Sequence, residues 1–304
     1  MKKTRRKFLK SAVAAAAVSP LPGPAAPKNA QKEQVRLAMN EATSMNADYR
    51  KAMEGYSRAG FRWVEPWISK VDEFTARESL AVAKRVLADN GLTPVCACAQ
   101  GGIVEPVAEQ EKYFDQLKHK LEVCAELGIP RLVVHSVGRE KYTINDYTGA
   151  AERFQRAVEM AHSLGRIIAL EFIRGTQFMS SLSTSVPMVR KVNHPNGRIM
   201  VDLFHLWGGF SKFEDLELLK EGEPEHVHLD DLPAEIPREI LTDRDRVAPG
   251  DGVIPIAKIL RALKQKKFRG AVSIELFHQR FQQGDPYQVA LELKRKSEAI
   301  LKQV

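Results

Sequence analysis

Eight short apolar runs rich in β-branched residues recur along the chain, at 35–40, 61–66, 93–99, 131–136, 167–173, 198–205, 225–231 and 270–277. They are largely apolar on both faces, as strands of a buried parallel sheet are. Successive runs start 26 to 45 residues apart, room for a helix and two loops each time. Helical periodicity fills the gaps. Residues 47–59, 74–90, about 107–127 and 147–164 each stop at a glycine (Gly60, Gly91, Gly128, Gly165), and 256–267 and 287–302 complete the set. A glycine just past a helix and just before a strand is α-to-β punctuation. Eight such units predict an α/β chain folded as one (β/α)8 barrel over residues 31–304. An open doubly wound sheet would favour a glycine-rich phosphate loop after the first strand, and residues 40–46 are not one.

Charge is the other unusual figure. The 304 residues hold 46 Lys+Arg against 38 Asp+Glu, a formal +8, which taken alone suggests nucleic acid or an anionic membrane surface. Seven of those basic residues and none of the acidic ones lie in residues 1–30, so the remainder is close to neutral at 39 against 38. A charged start, a short mild apolar run (Ser11 to Val18) and a Pro/Ala-rich stretch make an export signal. Arg5-Arg6 followed by Phe8-Leu9-Lys10 resembles the twin-arginine type. Residues 1–30 therefore read as leader and linker, and the protein as exported to the periplasm or beyond. No nucleic-acid partner is expected. No run of eighteen apolar residues exists, so no ordinary membrane span is expected. Three cysteines are too few for a disulfide scaffold.

In a barrel of this kind, chemistry sits at the C-terminal ends of the strands. The fifth run offers Glu171, the sixth Asp202 and His205, the seventh His226, His228, Asp230 and Asp231, and the eighth Glu275 and His278. Glu171, Asp202 and Glu275 are embedded in apolar neighbours, where a carboxylate is costly unless paired or bound to a metal. The simplest shared partner for four consecutive strands is a divalent cation held by Glu171, Asp202, His228 and Glu275. Three carboxylates and one imidazole make a mainly oxygen site. That suits Mn²⁺ first, with Mg²⁺, Co²⁺ or Zn²⁺ as alternatives. Asp230 and Asp231 read as loop or capping acids, and Cys96 and Cys98 as small buried residues.

The order Glu on strand five, Asp-x-x-His on six, His-x-His on seven and Glu on eight resembles the xylose-isomerase-like TIM-barrel superfamily of sugar isomerases and epimerases. Arg246-Val-Ala-Pro-Gly-Asp-Gly252 is similar to the Arg-x-x-Pro-Gly-x-Gly loop of ketose 3-epimerases. The resemblance covers essentially the mature chain. It implies that the second histidine of His-x-His, His228, is the ligand, that Glu171 and Glu275 double as ligands and proton-transfer groups, and that His205 contacts substrate. His226 then supports its neighbour. Arg246, Glu65, Trp67 and Arg174 are the further residues expected to touch substrate. The chain departs from the epimerases in carrying Phe172-Ile173-Arg174 where they have an Asn shortly after the glutamate, and in a longer loop from His228 to Gly250.

The expected function is a metal-dependent sugar isomerase or epimerase. It would take a proton from the carbon beside a carbonyl, with the metal stabilising the enediolate. A keto-sugar or keto-inositol dehydratase or lyase would use the same site and is the near alternative. An apurinic-endonuclease-like hydrolase fits less well. Those enzymes hold three zinc ions with extra histidines, and this chain has none on strands two or three and no Asp-x-His in the 232–253 loop. A non-catalytic sugar binder is disfavoured by the retained pair of glutamates.

Overall fold

The computed structural model describes residues 35–304, and the leader expected at residues 1–30 lies outside the described residues. Nine strand segments, all parallel, make one sheet: β1 (Arg36–Asn40), β2 (Trp63–Glu65), β3 (Thr93–Pro94), β4 (Ala97–Gln100), β5 (Arg131–His135), β6 (Ile167–Glu171), β7 (Gly197–Asp202), β8 (Pro224–Leu229) and β9 (Ala271–Ile274). Their spatial order is β3-β2-β1-β9-β8-β7-β6-β5-β4. The two end segments are halves of the third expected strand. β3 pairs with β2 and β4 with β5, and only Val95 and Cys96 separate them. The Val95 N–H still donates to the Val64 carbonyl (2.9 Å), and the Cys98 N–H to the Pro66 carbonyl (3.3 Å). Pro94 has no N–H with which to extend the ladder, and beyond it the chain passes from one neighbour to the other. The sheet thus curls round into a TIM barrel with eight strand positions.

The helices are α1 (Tyr49–Arg58), α2 (Ile68–Thr75), α3 (Leu80–Asp89), α4 (Gln110–Leu127), α5 (Ile144–Ser163), α6 (Leu182–Val192), α7 (Leu203–Gly208), α8 (Ile256–Gln265), α9 (Gln279–Gln282) and α10 (Pro286–Leu301). Three of them correct the sequence reading. The single helix expected at 74–90 is broken, because the Ser79 side chain caps a new start by accepting from the Val82 N–H. Helix α6 was not anticipated; it carries Pro187 in its middle, which breaks the usual helical signal. The sixth run is a strand only as far as Asp202. There the carboxylate accepts the His205 N–H at 2.8 Å and starts α7. No helix among the described residues is long and apolar enough to cross a membrane.

Side chains alternate across each strand, and this aims the functional groups. One face packs against the helices in the main core, which includes Ile168, Leu170, Val201, Val227 and Leu229. The other face fills the barrel with Cys96, Cys98, Val133, Ala169 and Met200, above a layer holding Ala38, Val95 and Ala271. Glu171 lies two residues beyond Ala169, and Asp202 two beyond Met200. Both therefore point inward at the C-terminal mouth.

Candidate metal centre and active site

Glu171, Asp202, His228 and Glu275 each offer one ligand atom, and the four atoms lie within 4.8 Å of one another. His228 Nδ1 is 3.1 Å from Glu275 Oε2, 3.4 Å from Glu171 Oε1 and 3.6 Å from Asp202 Oδ2. All four residues are buried. Among the described residues, Glu171 Oε1 and His228 Nδ1 have no hydrogen-bond partner. Buried polar atoms without partners are expensive, and a divalent cation would satisfy them together. Three oxygens and one imidazole nitrogen are a donor set such a cation accepts. The residues present therefore fit the metal expected from the sequence.

The electrostatics of the cluster follow from crowding in a dry place. Burial pushes the Glu171 carboxyl up to about 7, against the lowering influence of His228. Burial would raise Asp202 too, but Arg246, His205 and His228 beside it hold it well below the usual carboxylate range. Burial would lower His228, yet Glu275 and Glu65 on either side hold it well above an ordinary imidazole.

Arg246 reaches this cluster from the 232–253 loop and is 1% exposed. Its Nη1 donates to Asp202 Oδ2 at 2.8 Å and Glu275 Oε2 at 3.1 Å, and also pairs with Asp230. Its Nη2 donates to Asp243 Oδ1 at 2.7 Å and lies 3.3 Å from His205 Nε2. Arg246 and His205 thus stand beside the four candidate ligands, where the sequence reading put substrate contacts. The loop that delivers Arg246 is built on Asp231. One carboxylate oxygen accepts from the Leu232 and Ile254 N–H groups (2.9 and 2.8 Å), and the other from Gly250 and Gly252 (both 3.0 Å). Asp231 is thereby the capping acid the sequence suggested. The motif glycines have a physical reason here. Gly250 has φ +90°, and a Cβ on Gly252 would sit 2.2 Å from the Leu232 carbonyl oxygen.

Two other expected substrate contacts have different occupations. Glu65 is wholly buried under the cluster. Its Oε2 lies 2.8 Å from His226 Nε2, and its Oε1 lies 3.2 Å from His228 Nε2 and 3.0 Å from the Cys98 thiol that donates to it. Burial would raise this carboxyl, but the two imidazoles hold it well below its ordinary value. An ionised carboxylate only accepts, so the proton of a neutral His228 sits on Nε2 and the Nδ1 lone pair faces the other carboxylates. Glu65 orients a ligand, and His226 shares the task. Arg174 donates through Nε to the Gly208 carbonyl (3.0 Å) and through Nη1 and Nη2 to the carbonyls of Leu241 and Arg238. It ties α7 to the 232–253 loop, and these contacts take up the guanidinium expected to meet substrate. Trp67 is partly buried and packs edge-on against Phe277, whose ring lies under the Arg246 guanidinium. A cavity of about 300 Å³ lined by Asn193, His194, Arg198 and Glu223 lies at the opposite end of β7 from Asp202 and is not part of this centre.

The sequence reading did not single out Asn40. Its amide Nδ2 donates to Glu275 Oε1 at 3.0 Å and reaches the Cys98 sulfur at 3.5 Å. Its position at the end of the first strand was the available signal. Cys98 is buried as expected, but it abuts Glu65, His228 and Glu275 as well.

The model of the xylose isomerase-like TIM barrel family matches residues 53–297. The chain belongs to that family. An inosose isomerase of Halalkalibacterium halodurans is 28% identical over 258 residues, covering 82% of this chain and 90% of that protein. A D-psicose 3-epimerase of Enterocloster bolteae is 23% identical over 249 residues, 76% of this chain and 77% of that protein. The crystal structure of the IolI protein with a bound zinc atom superposes with a TM-score of 0.82 at 24% identity, covering 88% of this chain and 98% of the other. The fold is therefore the family's, and the protein is an enzyme of the isomerase and epimerase kind.

Proposed function

We propose that the protein is a metal-dependent isomerase or epimerase of small keto-polyols, inososes and keto-sugars first among them. The observation that carries this reading is the meeting of Glu171, Asp202, His228 and Glu275 on four consecutive strands, with their ligand atoms inside 4.8 Å. A divalent cation bound by these four, Mn²⁺ by our reading of the oxygen-rich set, supplies positive charge beside a carbonyl oxygen and so acidifies the neighbouring C–H. The chain's own groups then handle the proton. Glu171 offers one oxygen to the cation and keeps the other, with which it can both take and return a proton. The C–H bond breaks, the proton goes to the carboxylate, and the electron pair moves onto the carbonyl oxygen. Return of a proton to the former carbonyl carbon, with the α-hydroxyl proton passing to the old carbonyl oxygen, isomerises the substrate; return to the original carbon from the opposite face, by the second glutamate, epimerises it. His205, beside the cluster, orients a substrate hydroxyl, and Arg246, whose donors go to Asp202, Asp230, Asp243 and Glu275, holds the carboxylates around it.

The test is solvent exchange. Purified protein with Mn²⁺ and an inosose in D₂O should place deuterium at the carbon beside the carbonyl, and treatment with a chelator should stop it. Loss of water from the substrate would instead favour the dehydratase alternative. Neither exchange nor loss of water with any keto-polyol would contradict the reading. We infer in addition, from Arg5-Arg6 and the apolar run after it, that residues 1–30 are a twin-arginine leader. A processed N-terminus in the periplasmic fraction is the expected result, and a full-length chain kept in the cytoplasm would oppose it.

A further inference from the structure

The two glutamates proposed to flank the substrate are not held alike. Glu171 Oε1 is buried without a partner, whereas Glu275 Oε1 accepts from Asn40 Nδ2 at 3.0 Å. Asn40 ends β1, directly beside β9, and its amide has one orientation open to it. Its Oδ1 accepts the Ala42 N–H at 2.9 Å, which turns Nδ2 toward Glu275 and the Cys98 sulfur. One Glu275 oxygen is thereby fixed, and the other, Oε2, faces His228 Nδ1 at 3.1 Å and accepts from Arg246 Nη1 at 3.1 Å.

We propose that Asn40 is a positioning residue that locks Glu275 as a one-oxygen metal ligand, a constraint that Glu171 lacks. This rests on the reading that the four-residue cluster holds a divalent cation, but it concerns a residue outside that cluster. Asn40 also caps the turn that follows it, so the test must separate the cap from the donor. Asn40→Ser does this. A serine oxygen is as good a cap, but it is too short to reach Glu275. The full-length protein and the variant are titrated with Mn²⁺ by calorimetry, and their thermal midpoints are compared. Asn40→Ser should bind Mn²⁺ about 10-fold or more weakly with little change in midpoint, as is usual when a group hydrogen-bonded to a ligand is removed. Its kcat should fall more than its KM changes.

Should the serine variant fold poorly, a double-mutant cycle against Glu275→Gln, run on Asn40→Thr, decides the matter. The Asn40 change should add almost nothing to the loss of Mn²⁺ affinity once Glu275 is altered. Parent-like affinity in Asn40→Ser, or losses that simply add in the cycle, would overturn the proposal. A parent protein that binds no divalent cation would overturn the underlying reading and this inference with it.

Discussion

The two sides of the barrel mouth do different work. Strands β6 to β9 bring up the four candidate ligands, Glu171, Asp202, His228 and Glu275. Strands β1, β2 and β4 bring up the groups that hold two of those ligands: Asn40 against Glu275, Glu65 against His228, and Cys98 against both. One side offers lone pairs, and the other decides where they point. A metal site needs both, since a ligand free to rotate gives up part of its affinity in being ordered.

Substitutions should rank accordingly. The largest effect belongs to the ligand side. Glu171→Gln keeps the shape but removes the proton acceptor, and it should cost about 10²- to 10⁴-fold in kcat, measured by deuterium uptake. A variant within a few-fold of the parent would move the proton chemistry elsewhere. The supporting side should come next. Glu65→Gln leaves every ligand in place but presents a group that also donates, so divalent-cation affinity should fall about 10- to 100-fold. Unchanged affinity would mean that His228 is oriented without Glu65.

Smaller again is the loop that carries Arg246. Asp231→Ala strands four N–H groups, those of Leu232, Gly250, Gly252 and Ile254, and should cost on the order of 2 kcal/mol, read as a lower urea midpoint. The last effect is a pH dependence on the supporting side. Burial pushes the Glu41 carboxyl, next to Asn40, from 4.5 up to about 8. The folded chain keeps a proton there that the unfolded chain releases, so its contribution lowers stability as pH rises from about 5 to 8. Glu41→Gln should flatten that part of the decline, and an unaltered slope would place the proton elsewhere.

The same division explains what was legible in the sequence. Glu171, Asp202, His228 and Glu275 could be read because each interrupts an apolar strand at its C-terminal end, and because period-two spacing puts His226 and His228 on one face. The barrel could be read because glycines recur between helix and strand. What escaped depends on contacts between distant parts of the chain. Asn40 and Glu275 are 235 residues apart, and Glu65 and His228 are 163 apart. No local pattern says that Glu65 turns to a histidine or Arg174 to loop carbonyls. Arg174 is the instructive case: a cation three residues after the glutamate suggested a substrate contact, but a guanidinium with several donors is equally suited to gathering backbone carbonyls. Boundaries failed where a single residue overrode its neighbours, as Asp202 did in starting a helix inside an apolar run.

The central claim is that these four residues hold one divalent cation and that proton transfer depends on it. Deuterium uptake from D₂O into an inosose, followed by NMR while Mn²⁺ is titrated into chelator-treated protein, measures both at once. Exchange should rise from background and saturate at one Mn²⁺ per chain, and Asp202→Asn should abolish the rise. Full exchange in the chelated protein, or saturation at one equivalent in Asp202→Asn, would contradict the account.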